Sequence, residues 1–113
     1  ISMADYSNEY TILLSRAGGF KTRTRPLDES PADVALFNFD GRGPKDLAIV
    51  DATLDKVHVL RGKGTRGRFG PARRFPAGAD VYGVAKGRFN ADRLDDLATA
   101  AYDDGSVGVL ISR

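Results

Sequence analysis

At 113 residues, with 42% apolar and 28% charged side chains and no cysteine, the chain has the makings of one globular unit and is too short for two independent cores. The lack of cysteine excludes a disulfide scaffold, a thiolate metal site and a cysteine nucleophile, and no apolar run approaches the roughly 18 residues that a membrane-spanning helix needs. A net charge of +2 does not by itself imply nucleic acid, so charge matters through its local distribution. The sequence opens at Ile1 without a signal-peptide pattern, which points to a processed form or an excised piece.

The elements, taken in chain order, fall into copies of one unit. In the first stretch, 1–33, Ile1-Ser2-Met3-Ala4-Asp5 reads like Leu47-Ala48-Ile49-Val50-Asp51, and Ile12-Leu13-Leu14 like His58-Val59-Leu60. Gly18, Gly19 and Phe20 then match the Gly-rich turn that ends at Phe69. The second stretch, 34–80, predicts four short strands at 34–37, 46–52, 57–61 and about 72–75, with Gly, Asp, Asn and Pro in the gaps as turn chemistry requires.

The third stretch, 81–113, repeats the second at an offset of fifty. Val84-Ala85 falls on Val34-Ala35, Phe89 on Phe39, Asp96-Leu97-Ala98 on Asp46-Leu47-Ala48, and Val107, Val109 and Leu110 on Val57, Val59 and Leu60. One ungapped register carries all of these matches, the mark of a repeat architecture. The strand Leu47-Ala48-Ile49-Val50 is apolar at successive positions, so both of its faces are expected to be buried. A sheet sandwiched between two neighbours satisfies that; a sheet with one wet face does not.

The stretches VALFNFDGRGPKDLAIV (34–50) and VAKGRFNADRLDDLATA (84–100) resemble the signature of the FG-GAP/VCBS repeat family, a strand running into a D-x-[DN]-x-D-G-x-x-D-L loop and a second strand. VHVLRGKGTRGRFGPA and TILLSRAGGF are similar to the family's next element, an apolar strand followed by a Gly-rich turn and Phe-Gly. The resemblance implies an all-β fold of β-propeller blades, each a four-stranded antiparallel sheet, as in integrin α-chain heads and lectin-like propellers. About 2.3 repeat units (113 residues over fifty) are present: a partial blade (1–33) lacking its first strand, a complete blade (34–80), and a partial blade (81–113) lacking its fourth. Such ends leave open faces, so other copies of the chain or neighbouring blades of a longer chain are expected to close the ring. The family also implies an extracellular or periplasmic setting.

Family propellers often hold calcium in the loop between the first two strands, and that ion needs six to eight oxygens, roughly. The first loop offers Asn38, Asp40 and Asp46 and keeps Gly43 at the turn, but Arg42 stands where an acid is expected. The second offers Asn90, Asp92 and Asp96, with Arg88 at the first position and Arg93 in place of the turn glycine. Each loop has lost a carboxylate and gained a cation. The expectation is that no cofactor is required and that a guanidinium does the ion's structural work by pairing with the remaining acids. Calcium, weakened by Arg42 and Arg88, is the alternative.

Alternating strand direction sends the turns to two rims. One carries Arg61, Lys63, Arg66, Arg68, Arg73 and Arg74, echoed by Arg16, Lys21, Arg23 and Arg25 in the first unit. This is either an anion surface or a solvated turn whose arginines neutralise the adjacent acidic loops, and the shortage of interleaved aromatics favours the second. The other rim collects Asp5, Tyr6, Asn8, Asp51, Asp55, Tyr82, Tyr102, Asp103 and Asp104. Of these, Tyr6, Asp51, Tyr82, Tyr102, Asp103 and Asp104 form the candidate surface for a glycan or a protein loop.

His58 is the only histidine and reads as a packed strand residue at the position of Ile12 and Gly108. No triad or zinc set can be assembled from one chain. The sequence therefore points to a non-enzymatic binding or assembly module for glycan or protein ligands, closing its ring by oligomerisation. The alternative is a structural propeller segment of a larger extracellular receptor or enzyme. Neither nucleic acid binding nor membrane insertion is expected.

Overall fold

The computed structural model describes residues 2–4, 9–26, 31–41, 43–51, 55–63, 68–90, 92–101 and 105–112, and every regular element among them is a strand. The strands are β1 (Ser2–Ala4), β2 (Glu9–Arg16), β3 (Gly19–Pro26), β4 (Pro31–Phe37), β5 (Asp46–Asp51), β6 (Lys56–Lys63), β7 (Arg68–Pro76), β8 (Val81–Gly87), β9 (Asp96–Ala101) and β10 (Ser106–Leu110). They form three antiparallel sheets: a first of β1-β2-β3, a middle one of β4-β5-β6-β7 and a third of β8-β9-β10. The all-β class expected from the sequence is therefore observed; the strands expected at 34–37, 57–61 and about 72–75 fall inside β4, β6 and β7, and the one expected at 46–52 matches β5 through Asp51, residue 52 lying outside the described residues.

Pairings recur at the offset of fifty. Val34 faces Ile49 and Val84 faces Thr99; Leu47 faces Leu60 and Leu97 faces Leu110. Even the irregularity is repeated, a register shift between Pro31 and Asp33 in one sheet and between Val81 and Gly83 in the other. Such a bulge leaves backbone groups outside the ladder.

Sheets pack face to face, and the alternation of side chains sorts each strand between two interfaces. Leu47, Ile49 and Leu60 point to the first sheet and meet Ile12 and Leu14 there. Ala48, Val50 and Val57 point to the third and pack with Val81, Val84 and Leu97. As a result all six residues of β5 are buried, and for Leu47 to Val50 this is what their unbroken apolar run required.

The first unit sits one residue away from the alignment that the sequence suggests. Ile12 packs toward the middle sheet, as Val59 packs toward the third, whereas His58 lies on the opposite face of its own strand. Ile12 thus takes the place of Val59 and Leu13 that of Leu60, an offset of forty-seven rather than forty-six. Apolar residues at Ile12, Leu13 and Leu14 fit either register by composition, but a shift of one flips each side chain to the other face.

Candidate functional site

Two carboxylates organise one rim. In the middle sheet Asp46, at the start of β5, accepts the Phe39 N–H at 3.2 Å through Oδ2 and the Gly62 N–H at 2.8 Å through Oδ1. In the third sheet Asp96 accepts the Phe89 N–H at 3.0 Å and the Ser112 N–H at 2.8 Å through the same two oxygens. Both acids are buried. A carboxylate so placed ties the entry of its own loop to the far end of the neighbouring strand, and bonds from backbone amides to an ionised acceptor are among the stronger ones.

Asp40 and Asp92 also have protein partners. The Arg61 guanidinium lies 3.7 Å from Asp40 Oδ2 and 5.2 Å from the Phe39 ring centroid. Asp92 Oδ1 accepts the Leu94 N–H at 3.0 Å, closing a local turn. Arg93 adopts the left-handed conformation (φ 65°) that Gly43 adopts (φ 73°) at the corresponding place. Asn90 is exposed. Asn38 Oδ1 is buried with no hydrogen-bond partner among the described residues, and Arg42 lies outside them. Among the described residues no three His, Cys, Asp or Glu side chains are grouped to hold a metal ion.

Three further acids cross the seam between the middle sheet and the third, two from the middle unit and Asp95 from the third. Asp33 uses the bulges, its Oδ1 accepting the Val34 N–H at 2.8 Å and its Oδ2 the Val84 N–H at 3.0 Å. Asp55 accepts the Asp80 N–H at 2.6 Å, and its carbonyl takes the Ala77 N–H at 3.0 Å. Asp95 accepts the Asn38 N–H at 2.8 Å while its own N–H reaches the Asn38 carbonyl at 3.0 Å, and Arg88 Nε stands 3.3 Å from its other oxygen. Burial pushes the Asp95 carboxyl up, but the Asn38 amide, the Arg88 guanidinium and the charges of Lys86 and Arg88 together hold it below its ordinary value.

On the opposite rim the expected surface is only partly present. Tyr82 is exposed; Tyr6, Tyr102, Asp103 and Asp104, with Asp5 and Asn8, lie outside the described residues. Asp51 departs from expectation. It is fully buried, with Oδ2 3.4 Å from Nε2 of the equally buried His58. It shares the parity of Leu47 and Ile49 and so turns into the interface with the first sheet rather than out to the rim.

The basic residues do not form one patch. Arg61, Lys63, Arg68, Arg73 and Arg74 are exposed, and Arg66 is outside the described residues. Arg73 faces Val59 across the ladder and Arg74 faces His58, so the sheet separates them. Nor are aromatics missing: Arg73 stacks over Phe75 at 5.8 Å, as Arg61 does over Phe39. These rings, with Phe37, Leu97 and Leu110, line an open groove of about 440 Å³ between the middle and third sheets.

Comparison with known proteins found no matching family model, and no curated protein or solved structure similar to the chain.

Sequence reasoning missed Asp33, Asp95, the crossing role of Asp55, and the groove. Asp46 and Asp96 carried a signal, since the bonded triples Phe39, Asp46, Gly62 and Phe89, Asp96, Ser112 keep the same spacing. Asp33, Asp55 and Asp95 carried none, because their counterparts Gly83, Gly105 and Lys45 are not acids.

Proposed function

We propose that the chain is a non-enzymatic binding and assembly module made of β-propeller blades, completed to a ring by further blades and presenting turns at one rim to a glycan or protein ligand. The observation that carries this reading is the burial of β5 on both faces between two flanking sheets. Sheets that must be covered on both sides stack, and a stack of twisted sheets curves. The resemblance to FG-GAP/VCBS repeats supports the same architecture and an extracellular or periplasmic setting.

The loops are read as metal-independent. In support, Asp46 and Asp96 each gather two backbone N–H groups, Asp40 faces Arg61, and Arg88 stands where the resemblance implies an oxygen ligand; the buried Asn38 Oδ1, without a hydrogen-bond partner among the described residues, is the feature on the other side. Titrating calcium while following the melting temperature tests this. No shift is expected, and a rise of several degrees would overturn it.

Ligand binding rests on exposed Tyr82 beside the turns at 55 and 80. Exposed aromatic rings stack on sugar faces and anchor protein loops. In a glycan-array screen, Tyr82→Ala is expected to abolish the signal; binding unchanged by that substitution removes this rim from consideration.

A further inference from the structure

The middle sheet shows what each face of this fold requires, and the two end sheets each leave one face without it. On the side that meets the third sheet, the middle sheet presents Ala35, Ala48, Val50, Val57 and Val59. The third sheet presents Ala85, Ala98, Ala100, Val107 and Val109 at the same places, fifty residues on, on the face turned away from the molecule. Val57 is 0% exposed and Val107 is 73% exposed; Val109 stands at 52%. The set is apolar throughout. Nothing in its chemistry calls for water.

The first sheet is open on the contrary side. The middle sheet meets the first through Leu60 and Phe69, and the third meets the middle through Leu110. The corresponding residues of the first sheet are Leu13, in the place of Leu60, and Phe20, opposite Ser15 in β2–β3 pairing as Phe69 is opposite Gly62 in β6–β7. Leu13 and Phe20 are 38% and 62% exposed. One end of the chain thus carries the receiving face of the seam and the other the inserting face.

We infer that the uncovered face of the third sheet docks on the uncovered face of the first sheet of a second copy of this chain, head to tail. The occupant follows from the seams already present. Twice within the chain a face bearing Leu at this position packs against the preceding sheet, and the ends repeat the apolar residues of that contact, Leu13 and Phe20 on one and Val107 and Val109 on the other, without its crossing acids and without a first-sheet equivalent of β8 among the described residues. A heterologous contact of this kind does not close on itself in a dimer; it propagates until the rotation per copy completes a ring or a helix. The inference rests on the stacked-sheet reading above, and it adds the partner, the two surfaces and their polarity.

The test uses the 113-residue chain with two exposed double substitutions, Val107→Lys with Val109→Lys on the receiving face and Leu13→Lys with Phe20→Lys on the inserting face. Masses are measured by sedimentation velocity over a range of concentrations. The unaltered chain is expected to form a discrete species larger than a dimer, and each variant alone to be a monomer with an unchanged far-ultraviolet circular dichroism spectrum. An equimolar mixture of the variants is expected to form a one-to-one heterodimer and stop there, because one good face of each kind remains. An unaltered chain that stays monomeric overturns self-docking, as does a single variant that still dimerises. Tandem fusion of two copies separates this failure from that of stacking: a fused chain more stable than the single one keeps the stacked-sheet reading while self-docking falls, and one no more stable removes both.

Discussion

The middle and third sheets are nearly the same object in different surroundings. Strands β4, β5 and β6 match β8, β9 and β10 residue for residue in pairing, bulge and loop anchor, yet Val57 is sealed and Val107 is open to water. Local structure here is set by each unit alone, through turn chemistry and the Asp46 and Asp96 anchors, and burial is set by the neighbour. The difference can be measured as a difference in stability between equivalent substitutions.

The largest effect is expected at the anchors. Asp46→Ala leaves two half-buried backbone N–H groups without their ionised acceptor and should cost about 3 kcal/mol in urea unfolding. Asp96→Ala should cost less, about 2 kcal/mol, because Phe89 is 52% exposed and water reaches that loop. Equal losses would show that the end sheet is held as firmly as the middle one.

Core truncation comes next. Val57→Ala should destabilise by about 2 kcal/mol, while Val107→Ala in the dissociated chain should change stability by less than about 0.5 kcal/mol. A large loss at Val107 under dilute conditions would mean that its face is covered within one chain.

A smaller effect is expected at the turns. Gly43 and Arg93 share the left-handed conformation, which costs a residue with a Cβ about 1 kcal/mol. Arg93→Gly should therefore stabilise by something under about 1 kcal/mol and Gly43→Ala should destabilise by a similar amount, both read from denaturant midpoints.

The last prediction concerns acid. Because the folded-state value of Asp95 is depressed, its contribution is fully present above the ordinary carboxylate pKa of about 4 and is lost as the pH falls through the lower folded value. Asp95→Asn should flatten the stability profile in that window and leave its shape at neutral pH unchanged.

Much of this was legible in the sequence. The offset of fifty gave the strands, the double burial of β5 and the correspondence of the two loops, since turn residues and apolar runs are local signals. The slip in the first unit was not legible: three consecutive apolar residues at Ile12 to Leu14 fix a strand without fixing its facing. Asp51 reads as a rim acid until the parity of β5 is known, and a carboxylate facing His58 between two sheets depends on both. The groove was hidden for a similar reason, as Phe39, Phe75 and Leu110 are far apart in sequence and line one groove only when the middle and third sheets pack.

Asp33 in the edge strand β4, Asp55 at one rim and Asp95 at the other fasten a single seam. Three fasteners that are not in line leave two plates no axis about which to hinge. The three bonds therefore resist both sliding and parting of the middle and third sheets. Gly83, Gly105 and Lys45 stand where the repeat would place these acids again, so the fastening belongs to this one seam and any contact made by the end faces has to hold without it.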